Sequence, residues 1–244
     1  MKYKLLNVEG FNLVKGDNTI DAYDLLEKLK PLIPCLVNKC TNGHEYVDLD
    51  LPSGTLWAKC NVGAETETDY GLYFQWGDTQ GYTADQIGTG NGQKPFNEND
   101  YKFYEAGVGY TKYNQTDGKT VLELEDDAAR ANMGGEWRMP TFDDFSELIN
   151  ETTQETITKD GKSGMLFISK SNSNNTIFIP FGGWIINAQI GDIGAYCNLS
   201  SNEIGLNGGL SRYSHAEYFY AGDGELGMDE EMRWFGYNIR GVIG

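Results

Sequence analysis

Over most of the chain apolar and polar positions alternate with a period near two, and three windows carry the wider spacing of an amphipathic helix. The first runs from Asp17 to Lys30. Ile20, Tyr23, Leu26 and Leu29 form one stripe, Asp17 or Asn18 caps the start, Asp21 and Asp24 favour its positive end, and Pro31 stops it. The second, Val121–Asn132, ends at Gly134-Gly135, a pair able to take the left-handed conformation that closes many helices. The third starts at Thr141 as the cap, with Asp144 three residues on, and places Phe142, Phe145, Leu148 and Ile149 on one side.

Elsewhere the pattern is that of strands. Met165–Ser169 and Thr176–Pro180, joined by a polar stretch, predict a hairpin, and Ala216–Tyr220 and Tyr237–Val242 predict two further strands. Gly43 marks a boundary, leaving residues 1–43 as an N-terminal helical segment or attachment arm and 44–244 as the main domain. The expected class is α+β, with two short helices in the main domain, small antiparallel sheets and long loops.

Composition narrows the function classes. With 244 residues and 13% aromatic content the chain is too rich in core-forming side chains to be a disordered tail. A net charge of −17 opposes a phosphate backbone, so no nucleic-acid partner is expected. Two histidines, His44 and His215, are too few for a histidine-built metal centre. The N-terminus shows no cleavable signal, and no apolar run approaches the ~20 residues that span a bilayer, so a soluble chain without membrane insertion is expected. Cys35, Cys40, Cys60 and Cys197 fit no CxxC pattern and are expected to be reduced and mostly buried.

Gly88–Gly92 lacks the lysine of a phosphate loop and reads as a plain loop. The acidic runs Glu65–Asp69, Glu123–Asp127 and Asp229–Glu231 lack EF-hand spacing and read as solvated surface. Neither histidine accompanies a nucleophile turn. No catalytic residue, metal or cofactor is therefore predicted.

The strongest signal is the last third, where aromatic residues interleave with Asn and Ser as they do in recognition surfaces. Trp184, Asn187, Tyr196, Asn198, Asn202, Tyr213, His215, Arg233 and Trp234 lie in loop-like stretches or at strand ends and are the predicted ligand-binding residues. Alternation assigns Ala216, Tyr218 and Ile239 to the inward set.

The segments His44–Gly63, Asp69–Gly77, Asp126–Ala129, Trp137–Thr141, Phe178–Gly183 and Arg233–Val242, in this order, resemble the Fibrobacter major paralogous domain family, found in Bacteroidetes and their phages. The resemblance covers roughly residues 44 to 244. It departs from the family at Ala195–Ser200 and at Gly241. It implies a fold similar to C-type lectins and formylglycine-generating enzymes, with Trp57, Trp76 and Trp137 as scaffold anchors. It further implies a non-enzymatic binding protein for a protein or cell-surface ligand. Such a protein is phage-associated, diversified by a retroelement near its C-terminus, and attached to a larger particle through residues 1–43. Codon chemistry of that kind leaves Trp184 and Trp234 as constant anchors. The alternatives are a formylglycine-generating-type oxidase, which would need Cys60 and Cys197 as a reactive pair, and a calcium-dependent sugar-binding lectin, whose Glu-Pro-Asn or Gln-Pro-Asp triplets are missing from the chain.

Overall fold

The computed structural model describes residues 39–205 and 213–244, together with the backbone of Asn12–Lys15 and Asn18–Asp21. The chain divides into two units, Met1–Glu45 and Tyr46–Gly244. In the first, β1 (Asn12–Lys15) pairs with β2 (Asn18–Asp21), Leu13 opposite Ile20 and Val14 opposite Thr19. The helix expected from Asp17 does not begin there: β-branched Val14 and Thr19 favour an extended ladder over the weak helical stripe. Residues 22–30 of that expected helix lie outside the described residues. Strand β3 (Cys40–Thr41) turns through Asn42 and Gly43 into β4 (His44–Asp48), and both turn residues have positive φ, as a tight hairpin requires. Cys40 is held in a disulfide, which corrects the expectation of four reduced thiols, while Cys60 and Cys197 are not disulfide-bonded.

The second unit continues through β5 (Leu56–Ala58), β6 (Phe74–Gln75), β7 (Tyr104–Glu105) and β8 (Gly109–Tyr110). Helices α1 (Ala128–Met133) and α2 (Phe142–Glu151) follow, then β9 (Thr152–Lys159), β10 (Lys162–Ser169) and β11 (Thr176–Pro180). The last third holds β12 (Trp184–Ile186), β13 (Gln189–Gly191), β14 (Tyr196–Ile204), β15 (His215–Gly222), β16 (Glu225–Met232), β17 (Gly236–Tyr237) and β18 (Val242–Ile243). The sheets are small and antiparallel: β11-β10-β9 and β14-β15-β16 are meanders of consecutive strands, whereas β13-β12-β17-β6 joins strands far apart in the chain. With two α-helices among the described residues, this is a mixed, mostly β architecture, in keeping with the expected α+β class.

Segments far apart in sequence close the frame. Val242 of β18 pairs with Trp57 of β5 and forms a bridge to Arg138, so the chain's last strand meets two of its tryptophan segments. Trp57, Trp76 and Trp137 are buried, as expected of anchors. Trp57, Phe145, Phe167 and Phe219 belong to one core cluster, with Phe145 stacked on Phe219 at 5.1 Å; Trp76 and Trp137 organise another.

Helix α2 begins as predicted. The Thr141 hydroxyl accepts from the Asp144 amide at 3.1 Å, and the Asp144 carboxylate accepts in return from the Thr141 amide at 2.8 Å. Phe145 and Leu148 are buried, but Phe142 is exposed and Ile149 half-buried. Phe142 stands at the first helical position, where a side chain leans back past the helix end rather than onto its packed face. The other predicted helix is much shorter than Val121–Asn132. Val121 bridges to Glu203, Leu124–Asp126 form a 3₁₀ turn, and Asp127 caps α1 by accepting from the Arg130 amide at 2.9 Å. Two adjacent aspartates with side-chain partners of their own favour a cap over a helix interior.

The hairpin of Met165–Ser169 with Thr176–Pro180 is present as β10 and β11. Sequence reasoning did not assign β9 or β16, although Asp160-Gly161 and Asp223-Gly224 each form a positive-φ hairpin turn and Asp-Gly is a strong signal for one. The single strand expected over Tyr237–Val242 is broken. Asn238 turns its amide to the Leu72 carbonyl, and Arg240, fully buried, donates to Asn61 Oδ1 (2.9 Å) and to the carbonyls of Ala58 and Phe178 (3.0 Å each). These long-range hydrogen bonds outweigh the local preference for extended pairing.

Candidate functional site: an aromatic and acidic cleft

The register of β14-β15-β16 sorts its residues onto two faces. Asn198 lies opposite Tyr220, Tyr218 opposite Asp229, and Gly222 opposite Glu225. Tyr196, Asn198, Tyr218, Tyr220, Glu225, Asp229 and Glu231 therefore share one face. Cys197, Leu199, Phe219 and Ala221 occupy the other and pack into the core with Leu226 and Met228. Burying the second face holds the first in place.

That first face lines a cavity of about 420 Å³, whose far wall is Trp184, Asp192, Phe235 and Tyr237. Tyr237 stacks on Tyr218 with centroids 4.7 Å apart, and Phe235 lies 6.2 Å from Trp184. The Trp184 indole donates to Asp192 Oδ2 at 2.7 Å, fixing the ring. Trp184 lies opposite Gly191 and its ring covers that glycine: a Cβ there would come within 2.4 Å of the indole. At Gly183 both space and backbone demand glycine, since φ is +68° and a Cβ would fall 1.9 Å from the Gly191 carbonyl oxygen. Tyr196 also lines a second cavity of about 560 Å³, beside Thr156, Ser163, Phe181 and Asp223.

The cleft is electrostatically negative. Four carboxylates line it (Asp192, Glu225, Asp229 and Glu231), and among the described residues the lining holds no Lys or Arg. None of the four forms a salt bridge among the described residues. Burial, then the charges of Asp229 and Glu231, hold the Tyr218 phenol above its ordinary pKa. Burial followed by Asp223, Glu225 and Asp192 does the same for Tyr196. Asn198 is buried, and its side-chain oxygen lacks a hydrogen-bond partner.

Of the nine predicted binding residues, Trp184, Tyr196 and Asn198 line this cleft. The other six do not. Asn187 is exposed in the β12–β13 turn at positive φ, with its amide bonded to the Phe96 carbonyl. Asn202 is buried and ties β14 to neighbouring loops through its backbone, to Pro140 and Leu122. Tyr213 and Trp234 are half-buried against the Trp76 cluster, and His215 Nδ1 lies 2.9 Å from Ser214 Oγ at the start of β15. Arg233 is the largest correction. It is 1% exposed and donates to the Tyr101 hydroxyl and to the carbonyls of Tyr113, Tyr213 and Lys112 at 2.8–3.0 Å. Tyr218, assigned inward from sequence, lines the cleft; Ala216 and Ile239 are buried as expected. Tyr220, Asp192, Glu225, Asp229, Glu231, Phe235 and Tyr237 went unassigned. The Asp223-Gly224 turn fixes their register and is the signal that would have placed most of them.

Other candidate chemistry is absorbed by structure. Gly88 and Gly90 wrap the Gln93 carboxamide, which accepts from the Gly90 amide at 2.9 Å, so this loop cradles its own side chain. Among the described residues Glu123, Glu125 and Asp126 are the one group whose carboxylate oxygens come within 4.8 Å of one another, and the Lys112 ammonium already sits on all three at 2.5–3.3 Å. Cys197 faces the core, and burial pushes its thiol up to about 12, which leaves it a poor nucleophile at neutral pH. Among the described residues no helix is long and apolar enough to cross a membrane. In comparisons with family models, curated proteins and solved structures, nothing matches this chain.

Proposed function

We propose that the chain is a non-enzymatic binding protein that takes a protein or cell-surface ligand into the cleft between β14-β15-β16 and the Trp184–Tyr237 wall. The observation that carries this reading is the cleft itself. Six aromatic residues line it, Tyr196, Tyr218 and Tyr220 from a sheet face whose opposite side is packed core and Trp184, Phe235 and Tyr237 from the facing wall, in a cavity within the ~300–1,000 Å³ range of ordinary ligand sites. Rigid rings on a rigid sheet offer contact area at small entropic cost. The inward-facing, high-pKa thiol of Cys197 favours binding over oxidase chemistry that needs a reactive cysteine pair. The lysines seated on Glu123, Glu125 and Asp126 favour it over calcium-dependent sugar binding at that cluster.

The resemblance noted above gives the reading its wider form. The frame is C-type-lectin-like, the C-terminal third is the variable ligand face of a retroelement-diversified, phage-associated protein, and the N-terminal segment serves attachment. The test is binding of the full chain to arrayed bacterial surface polypeptides and polysaccharides. Tyr218→Ala is expected to weaken any specific interaction by about tenfold or more. Val108→Ala, at an exposed site outside the cleft lining, is expected to leave it unchanged. Equal loss in both variants, or no loss in Tyr218→Ala with the unfolding temperature preserved, would overturn the assignment.

A further inference from the structure

The cleft shares its chemistry with a second place in the molecule where the occupant is visible. The Arg233 guanidinium lies 4.9 Å from the ring centroid of Trp76, 5.2 Å from Tyr101 and 4.6 Å from Tyr110. Its N–H groups meet four oxygens, and the acids Glu123 and Asp126 stand beside the same aromatic cluster, matched by Lys102 and Lys112. Aromatic faces and anionic oxygens there surround cations supplied by the chain itself. In the cleft, rings and carboxylates are again assembled, but among the described residues no cation is supplied.

We propose that the cleft binds an organic cation, specifically a basic side chain, arginine foremost, presented by a partner polypeptide. This rests on the reading of the cleft as a binding site and names the chemistry it selects. Four carboxylates exclude an anionic ligand by repulsion. They do not converge as a metal site does: among the described residues no three carboxylate oxygens of the cleft lie within 4.8 Å of one another. Charge spread along a wall suits a ligand whose own charge is spread over several N–H donors, which is the guanidinium. Asn198 supplies the second, independent sign. Its buried Oδ1 has no partner, a costly state for an acceptor, and a donor entering the cleft relieves it. The rings of Tyr218, Tyr220 and Trp184 then give the faces against which a guanidinium or ammonium group is held. The cavity's size leaves room for the residues flanking that side chain.

The experiment follows indole N–H resonances of the full chain, with the Trp184 signal identified by its loss in Trp184→Phe. The probes are four: an acetylated, amidated Gly-Arg-Gly peptide, its citrulline counterpart, which has the same shape without the charge, a Gly-Lys-Gly peptide and choline. The arginine peptide is expected to shift the Trp184 signal saturably and to bind about tenfold or more tightly than the citrulline peptide. Raising salt from about 0.05 M to about 0.5 M, or the double change Asp229→Asn and Glu231→Gln, is expected to weaken it by a similar factor. Equal binding of citrulline and arginine peptides would overturn the cationic assignment while leaving the cleft a binding site. A response to choline alone would overturn the polypeptide source. No response to any probe would overturn the cation inference, whereas loss of array binding in Tyr218→Ala would still uphold the broader reading.

Discussion

Two parts of the molecule bring acids and aromatic rings together, and they do it to opposite ends. Around Asp126 every carboxylate has a local answer: Lys102 and Lys112 hold its two oxygens at 2.6 and 2.5 Å, the Tyr113 hydroxyl donates at 2.7 Å, and Arg233 fills the neighbouring cage of rings. In the cleft, Asp229 and Glu231 project from β16 beside Tyr218 and Tyr237, with no salt bridge among the described residues. Composition is nearly the same in the two places. What differs is whether the cation is built into the chain, and that separates a structural cluster from a surface able to accept a ligand.

The largest expected effect breaks the comparison at its structural side. Arg233→Met removes the donor to three carbonyls and the Tyr101 hydroxyl inside the core, and about 3 kcal/mol or more of stability is expected to be lost. Urea unfolding measures it; a loss below about 1 kcal/mol would mean the cage is not structural.

Next comes Asp126→Asn, expected to cost about 2 kcal/mol. Burial works to raise the Asp126 pKa, but hydrogen bonds from Lys102, Lys112 and Tyr113 bring it below the ordinary carboxylate value. A depressed folded pKa stabilises the protein at pH above the unfolded value near 3.9, and that contribution fades as pH falls through the folded value. The gap in unfolding temperature between wild type and variant is therefore expected to be full at neutral pH and to close below about pH 4. A gap independent of pH would show that the charge of Asp126 is not what the lysines hold.

On the cleft side, Gly191→Ala forces a methyl group against the Trp184 indole, an overpacking expected to cost about 1–3 kcal/mol. It should also detach the Trp184–Asp192 hydrogen bond, visible as a shifted indole N–H resonance. An unshifted resonance would mean that this wall is loosely held. The smallest effect sharpens the contrast most: Asp229→Asn with Glu231→Gln is expected to leave stability within about 0.5 kcal/mol, or to raise it slightly by easing like-charge repulsion. A loss comparable to that of Asp126→Asn would place these acids in the structural class.

Local patterns were legible wherever a short stretch contains its own reason. The Thr141 cap with Asp144, the closing glycine after α1 and the β10–β11 hairpin can be read from residues a few positions apart. The site was legible as a region, since Trp184, Tyr196 and Asn198 do line the cleft. Its individual members were not. Alternation assigns Tyr218 inward and a place at a strand end assigns Arg233 to the ligand face, and the structure reverses both: Tyr218 lines the cleft and Arg233 is buried.

The sequence by itself determined that the chain is a turn-rich, mixed α and β protein with an aromatic, polar last third and an excess of negative charge. Only the tertiary structure decided which charges are answered. Arg233 finds the Lys112 carbonyl 121 positions away, and Asp229 finds its neighbours only once β14, β15 and β16 are in register. Alternation along one strand says that two faces exist but not which one the core will take. That choice is made by the summed burial of Leu199, Phe219, Ala221 and their partners from other elements, and the cleft is the face left over.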